Sequence, residues 1–219
     1  FYTDAQRKRA VVTSPAVALV NERVDQAEQV IPLLEGAIAQ GKKSLLLIVK
    51  DASNSGLGVL LSNHQVEKEK KKLDILCVKL SEIGDEMRWA WSDLETLTGA
   101  TVLGPEYDRT GANAVASDLG QAQRAEFANE GIVIVAPKET RNAIQSEVSR
   151  LRTLIVETPL DDDDRPKYVK RLSTLTGGIG RLKIGASSKL EREILYQQSQ
   201  RAFNVLSAAQ RNGVVPGGG

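Results

Sequence analysis

An α/β fold is predicted by three observations. Aliphatic runs of strand length alternate with segments of helical periodicity, capping residues and glycine stops mark the boundaries, and one final helix is far longer than the rest. Residues 17–20 read as a short buried strand. Pro32 then opens a helix that runs to about Gly41, with proline in the first turn and glycine just past the end. Ile31, Leu34 and Ile38 share one face of it. Residues 44–49 form a continuous aliphatic strand. Asn54 or Ser55 caps a second helix that carries Leu57, Leu60, Leu61 and His64 on one side. Gly56 and Gly58 inside that helix cost it about 1 kcal/mol each relative to alanine, a poor choice for stability alone.

Residues 73–80 are another strand, with Cys77 inside it, and residues 86–97 a helix ending at Gly99. Trp89 and Trp91, two positions apart, cannot share one helical face, so one is expected in the core and one partly exposed. Strands are expected at 101–103 and 132–135, and an amphipathic helix at 139–157. The four carboxylates Asp161 to Asp164 precede a helix that stops at Gly177-Gly178. They lack the spacing of a calcium loop and read as anions favouring the helix dipole. A strand is expected at 179–184. The last helix runs from Ser188, boxed with Glu191, to about Arg211. At 1.5 Å per residue it spans roughly 35 Å, the length of an arm.

Composition narrows the function classes. Apolar residues make up 41% of the 219, enough to bury a core, and aromatics only 4%, so aliphatic packing dominates it. The net charge is +1 with acids and bases interspersed, which gives no reason to expect nucleic acid or membrane as a partner. The charge run from Glu67 to Lys72 reads as a solvated helix extension, with a basic patch for acidic clients as the alternative. Cys77 and His64 are each single, so no disulfide and no Cys/His zinc site can be built within the chain. Cys77 reads as a buried strand residue in a reducing compartment. No nucleophile–base pair, metal cluster or complete phosphate loop is visible, so an unrelated α/β enzyme is a poor reading and this chain is not expected to be an enzyme. The chain opens on Phe1-Tyr2 and ends on Gly217-Gly218-Gly219, and both ends read as cuts.

Seven stretches carry a family pattern in order and at nearly constant spacing: FYTD (1–4), VIPLLEGAIAQGKK (30–43), LLLIVKD (45–51), GLGVLLSN (56–63), LETLTGATVLG (94–104), DLGQAQR (118–124) and LTGGIGRLKIGA (175–186). GVVPGGG (213–219) completes them. Together they resemble the 60 kDa subunit of the group I (bacterial and organellar) chaperonins over essentially the whole chain. The resemblance implies an apical-domain-like body over residues 1–177, with helices packed on a β scaffold. It implies the ascending half of the intermediate domain, with its long helix, over 178–212, and the truncated start of the equatorial ATPase domain over 213–219.

The resemblance also implies sites. A groove between the helices at 32–41 and 55–66 would bind unfolded polypeptides and a co-chaperonin, with contacts at Ile31, Leu34, Leu57, Leu61 and Ser62 and with Phe1 and Tyr2 nearby. Periodicity alone reads the same leucines as facing the domain's own core. Ser62 is more polar than the valine usual there, and the interior Gly56 and Gly58 suit a shallow surface for varied ligands. Gly177 and Gly178 would be the hinge. Gly217, Gly218 and Gly219 would join a nucleotide site only in the full-length ring of subunits, where ATP and Mg bind; no cofactor is expected in this stretch. Alignment back from the glycine run puts Arg201 where the family has its catalytic aspartate, and Lys189 where it commonly has a glutamate. The turn LSEIG (80–84) departs from the family's Pro-Gly-Phe-Gly. These departures suggest a divergent paralogue, a degenerate non-hydrolysing member of a mixed ring. The LTGATV and VVPGGG stretches favour the chloroplast stroma, with the bacterial cytoplasm or mitochondrial matrix as alternatives.

Overall fold

The computed structural model describes residues 9–56, 58, 60, 73–128, 131–177, 182, 184–214 and 217. The chain divides into two units, Phe1–Thr176 and Gly177–Gly219.

The first unit is built on two sheets. β2 (Ala16–Val24) lies at the centre of the larger one and pairs in parallel with β3 (Ser44–Ala52) and β5 (Val102–Leu103). β4 (Asp74–Lys79) extends the sheet in parallel on the far side of β3, and β6 (Gly120–Gln121) pairs antiparallel with β2. The smaller sheet is antiparallel, with β1 (Ala10–Thr13) laid beside the pair β7 (Arg124–Ala128) and β8 (Gly131–Val135), in the order β1-β7-β8.

The parallel strands read as unbroken aliphatic runs because both of their faces are covered. Leu45, Leu47 and Val49 of β3 enter one core with Ala16, Ala18 and Val20 of β2; Leu46 and Ile48 enter another with Val17 and Leu19. Helix α1 (Ile31–Ala39) closes the first core through Leu33 and Ala37. Helix α2 (Asp85–Thr98) closes the second through Trp91. α3 (Arg141–Glu157) and α4 (Arg165–Thr176) follow and pack with α2. Each crossover thus puts its helix on a face of the sheet.

The helix ends follow from local chemistry. Gly41, at φ 70°, reverses the chain after α1 so that Lys42 N–H reaches the Ala37 carbonyl at 3.0 Å. Gly99, also at φ 70°, ends α2. The second predicted helix starts one residue earlier than expected: Ser53, not Asn54 or Ser55, is the cap, its Oγ accepting from Gly56 N–H at 3.2 Å. Asn54, Ser55, Gly56, Gly58 and Leu60 are helical. Gly56 has a packing reason rather than a ligand reason. A Cβ there would lie 2.3 Å from the Val24 carbonyl oxygen, whereas one on Gly58 would meet nothing within 4 Å.

Other expectations shift in detail. β1, β6 and β7 are strands that the sequence pattern did not predict. A short 3₁₀ turn, Lys138–Thr140, precedes α3, so that helix begins at Arg141. Leu182 and Ile184 are not in a strand; the rest of the strand predicted at 179–184, apart from Gly185's neighbours, lies outside the described residues. The second unit contains α5 (Lys189–Asn212), capped by the Ser188 hydroxyl, which accepts from Glu191 N–H at 3.1 Å. The Glu191 carboxylate reaches back to Ser187 N–H rather than to Ser188 N–H, at 3.1 Å.

Cys77 lies on β4, half-buried against the first core. Burial pushes its thiol up to about 11. An unperturbed thiol near 8.5 is about a quarter ionised at pH 8, whereas Cys77 is ionised to about one part in a thousand. Iodoacetamide at pH 8 is therefore expected to modify it about 200-fold more slowly than free cysteine; mass spectrometry of the labelled chain measures this.

Candidate functional site

The site is built around α1. The turn that feeds it, between β2 and the helix, is held by one side chain. Gln29 Oε1 accepts from Asp25 N–H at 2.8 Å and Gln26 N–H at 3.0 Å, and its Nε2 donates to the Arg23 carbonyl at 3.0 Å. Pro32 fixes the first turn. Leu33, Gly36 and Ala37 then face inward. Ile31, Glu35 and Ile38 recur at i, i+4 and i+7 and face outward; Ile31 is 38% and Ile38 43% exposed. Leu34 is half-buried at the edge of the core. Two isoleucines open to solvent on one face of a folded helix, with Glu35 between them, call for a functional account in a way that a single exposed leucine does not.

Leu60, on the next helical segment, is fully buried in the core that holds Leu33 and Ala37. Leu57, Leu61 and Ser62, expected opposite α1, lie outside the described residues, as do Phe1, Tyr2, His64 and the charge run 67–72.

On its other side α1 meets the segment between β5 and β6. Gln40 Nε2 donates to the Ala116 carbonyl at 2.6 Å, and a Cβ on Gly36 would sit 3.1 Å from Leu119 Cδ1. Asp118 is buried there, accepting from Arg109 Nη1 at 2.6 Å and from Val115 N–H at 2.9 Å.

A second cluster of charged and aromatic groups joins α2, α3 and α4. Arg171 grips Asp93 with Nε at 3.1 Å and Nη2 at 2.7 Å, and Nη2 also reaches Glu147 at 3.0 Å. Arg171 is 8% and Asp93 7% exposed. Burial raises the Asp93 pKa above its ordinary value, with Arg171 pulling the other way. Glu147 is shifted down, first by its hydrogen bond from Arg150 and only then by Arg171. Trp91 is buried and Trp89 half-exposed, as their spacing predicts. The Trp89 ring lies 5.9 Å from that of Tyr168 and 5.7 Å from the Arg171 guanidinium. Arg171 thus pairs with a carboxylate from each of the other two helices, and the cluster ties α2, α3 and α4 together.

The acid run is local scaffolding. Asp162 Oδ1 accepts from Asp164 N–H at 2.8 Å, and Asp164 pairs with Lys167 at 2.6 Å. No group of three or more metal-ligating side chains occurs among the described residues. Among the described residues no helix is long and apolar enough to cross a membrane.

In the second unit Arg201 and Lys189 are exposed on α5. Gly177 is described and Gly178 is not. Of the terminal glycines Gly217 alone is described, with nothing within 4 Å of a Cβ position; Gly218 and Gly219 lie outside the described residues.

No protein-family model matches the sequence. The fold is chaperonin-like. The chain is similar to the crystal structure of the chaperonin gp146 from the bacteriophage EL 2 (Pseudomonas aeruginosa) in the presence of ATP-BeFx. In crystal form II the TM-score is 0.70 at 15% identity, over 95% of this chain and 40% of that one. In crystal form I it is 0.65 at 15% identity, over 99% and 42%. The chain thus spans about two fifths of the length of the structures it matches.

Proposed function

We propose that a chain with this chaperonin-like fold captures non-native polypeptide on the outward face of α1, as part of a chaperonin subunit. The observation that carries the reading is the solvent-open stripe of Ile31 and Ile38, flanked by half-buried Leu34, on a helix whose opposite face is fully packed. Such a face holds apolar segments without reading their sequence. In the full-length protein the same face would dock a co-chaperonin, and the subunits would form a ring that uses ATP and Mg to assist folding. The ordered motifs support the group I branch and the chloroplast stroma, with the bacterial cytoplasm or mitochondrial matrix as alternatives.

The test is Ile38→Asp. Replacing the Ile38 anchor by a second carboxylate beside Glu35 costs the capture of an apolar segment about 10–100-fold in affinity, from the loss of an apolar contact and the desolvation of an added charge. The thermal midpoint stays within about 2 °C, because Ile38 packs against nothing in the core. Binding of reduced, carboxymethylated α-lactalbumin, followed by fluorescence anisotropy, reads the first, and a calorimetric melt the second. Unchanged capture would overturn the assignment.

A second reading is favoured by Arg201. An exposed guanidinium on α5 cannot accept a proton or hold magnesium where the family has an aspartate. The parent subunit would then be a non-hydrolysing member of a mixed ring.

A further inference from the structure

We propose that Asp118 is the positioning residue that fixes the outward face of α1; the role in capture rests on the reading above. Asp118 is 5% exposed, and both of its oxygens are engaged. Oδ1 takes the Arg109 guanidinium at 2.6 Å, Oδ2 takes Val115 N–H at 2.9 Å, and its backbone carbonyl takes Thr101 N–H at 2.9 Å. The turn it closes, a 3₁₀ helix over Ala116–Asp118, packs against α1.

That contact has no slack. Gly36 brings the helix backbone so near that an added Cβ would lie 3.4 Å from Ala116 Cα as well as 3.1 Å from Leu119 Cδ1. The Ala116 carbonyl receives Gln40 from the last turn of the helix. The same segment is pinned at its other end: Gly111 N–H donates to Glu22 Oε1 at 2.9 Å, and a Cβ on Gly111 would lie 2.3 Å from the Gln29 carbonyl oxygen, in the turn that feeds α1. The segment is therefore a bracket that meets α1 at its entry and along its length, and the Arg109–Asp118 pair cross-braces it. Removing the carboxylate strands the Val115 N–H and releases the half-exposed Arg109 guanidinium to solvent, which loosens the turn and lets the helix rotate about its axis. A stripe one residue wide loses register with a bound segment after a small rotation.

The experiment uses the whole chain with Asp118→Ala, Asp118→Asn and Arg109→Gln. Amide exchange followed by mass spectrometry is expected to quicken about 10-fold over α1 and the bracket in Asp118→Ala, with β3 unchanged. Asp118→Asn keeps the acceptor for Val115 N–H and is expected to recover part of the protection. Arg109→Gln, which leaves the buried carboxylate in place, moves α1 in the same direction should the alanine variant fail to fold. Affinity for carboxymethylated α-lactalbumin is expected to fall about 10-fold in Asp118→Ala. Exchange that is unchanged in α1, or that rises equally through β3, overturns the proposal. Quickened exchange in α1 with capture untouched by both Asp118→Ala and Ile38→Asp upholds the positioning role and removes the capture reading instead.

Discussion

Replacing Arg171 by leucine lowers the unfolding free energy by about 3–5 kcal/mol at pH 7, because it leaves Asp93 buried without its cation. The size of the loss depends on pH in a direction the structure dictates. The folded-state pKa of Asp93 is already raised above 3.8, because burial outweighs the hydrogen bond and charge of Arg171. A carboxyl shifted this way contributes stability that is full below its unfolded pKa and lost as pH rises through the folded value. Without Arg171 its hydrogen bond and its charge are lost and only the charge of Arg150 still pulls downward, so the folded value climbs further and the penalty spreads toward neutrality. The variant therefore loses least near pH 4 and most near pH 7. Glu147 has the opposite sign, its contribution being lost as pH falls below its ordinary 4.5, but its larger partner Arg150 survives the substitution. Urea titrations across that range measure the trend, and Asp93→Asn in the leucine background should flatten it. A penalty of equal size at every pH would show that Asp93 is not the group left stranded.

The second large effect is at Trp91. Trp91→Ala is expected to cost about 3–5 kcal/mol, the usual range for deleting a large aromatic from a core. Trp91 is 1% exposed, and its indole N–H finds no acceptor among the described residues. Trp91→Phe removes that stranded donor together with part of the ring. An unpaired buried donor costs about 1–3 kcal/mol, so the phenylalanine variant should lose less than half as much as the alanine one. Trp89→Ala should cost about 1 kcal/mol, the worth of a partly exposed contact with Tyr168 and Arg171. Circular dichroism melts order the three. If Trp89→Ala proves the most damaging, α2 presents its other face to the core.

The sequence made some of this plain. Pro32, Gly41 and Gly99 mark helix ends by their own backbone chemistry, and the runs that became β3 and β4 are apolar at successive positions because both faces are covered. β7 was hidden for the opposite reason. Its segment, Arg-Ala-Glu-Phe-Ala, puts an acid on the strand, and Glu126 is tolerated there because Arg9 and Arg124 neutralise it, at 2.7 and 3.1 Å. A two-residue strand such as β6 carries no period to detect, whereas the equally short β5 was expected at 101–103 from its aliphatic pair Val102-Leu103. Gly56 was legible as a glycine but not as one facing the Val24 carbonyl, since that neighbour is distant in sequence. The Arg171–Asp93 pair joins residues 78 apart, and no local pattern announces it. The direction of the α1 stripe was equally beyond periodicity, which separates the two faces of a helix without saying which is inward. Asp118 stood within a recognised motif, yet its part in holding α1 depends on Arg109 and Val115 closing a turn against that helix.

The sheet has a consequence for how such a chain can change over generations. α1 rests on one of its cores, and Trp91 lies in the other. β2 and β3 stand between, sending alternate residues to each side. Substitutions at Ile31, Glu35 and Ile38 therefore have no direct route to the core that holds Trp91. Selection can try new surfaces on α1 while the opposite layer stays under purifying pressure. A lineage can alter what it holds without first acquiring a surplus of stability.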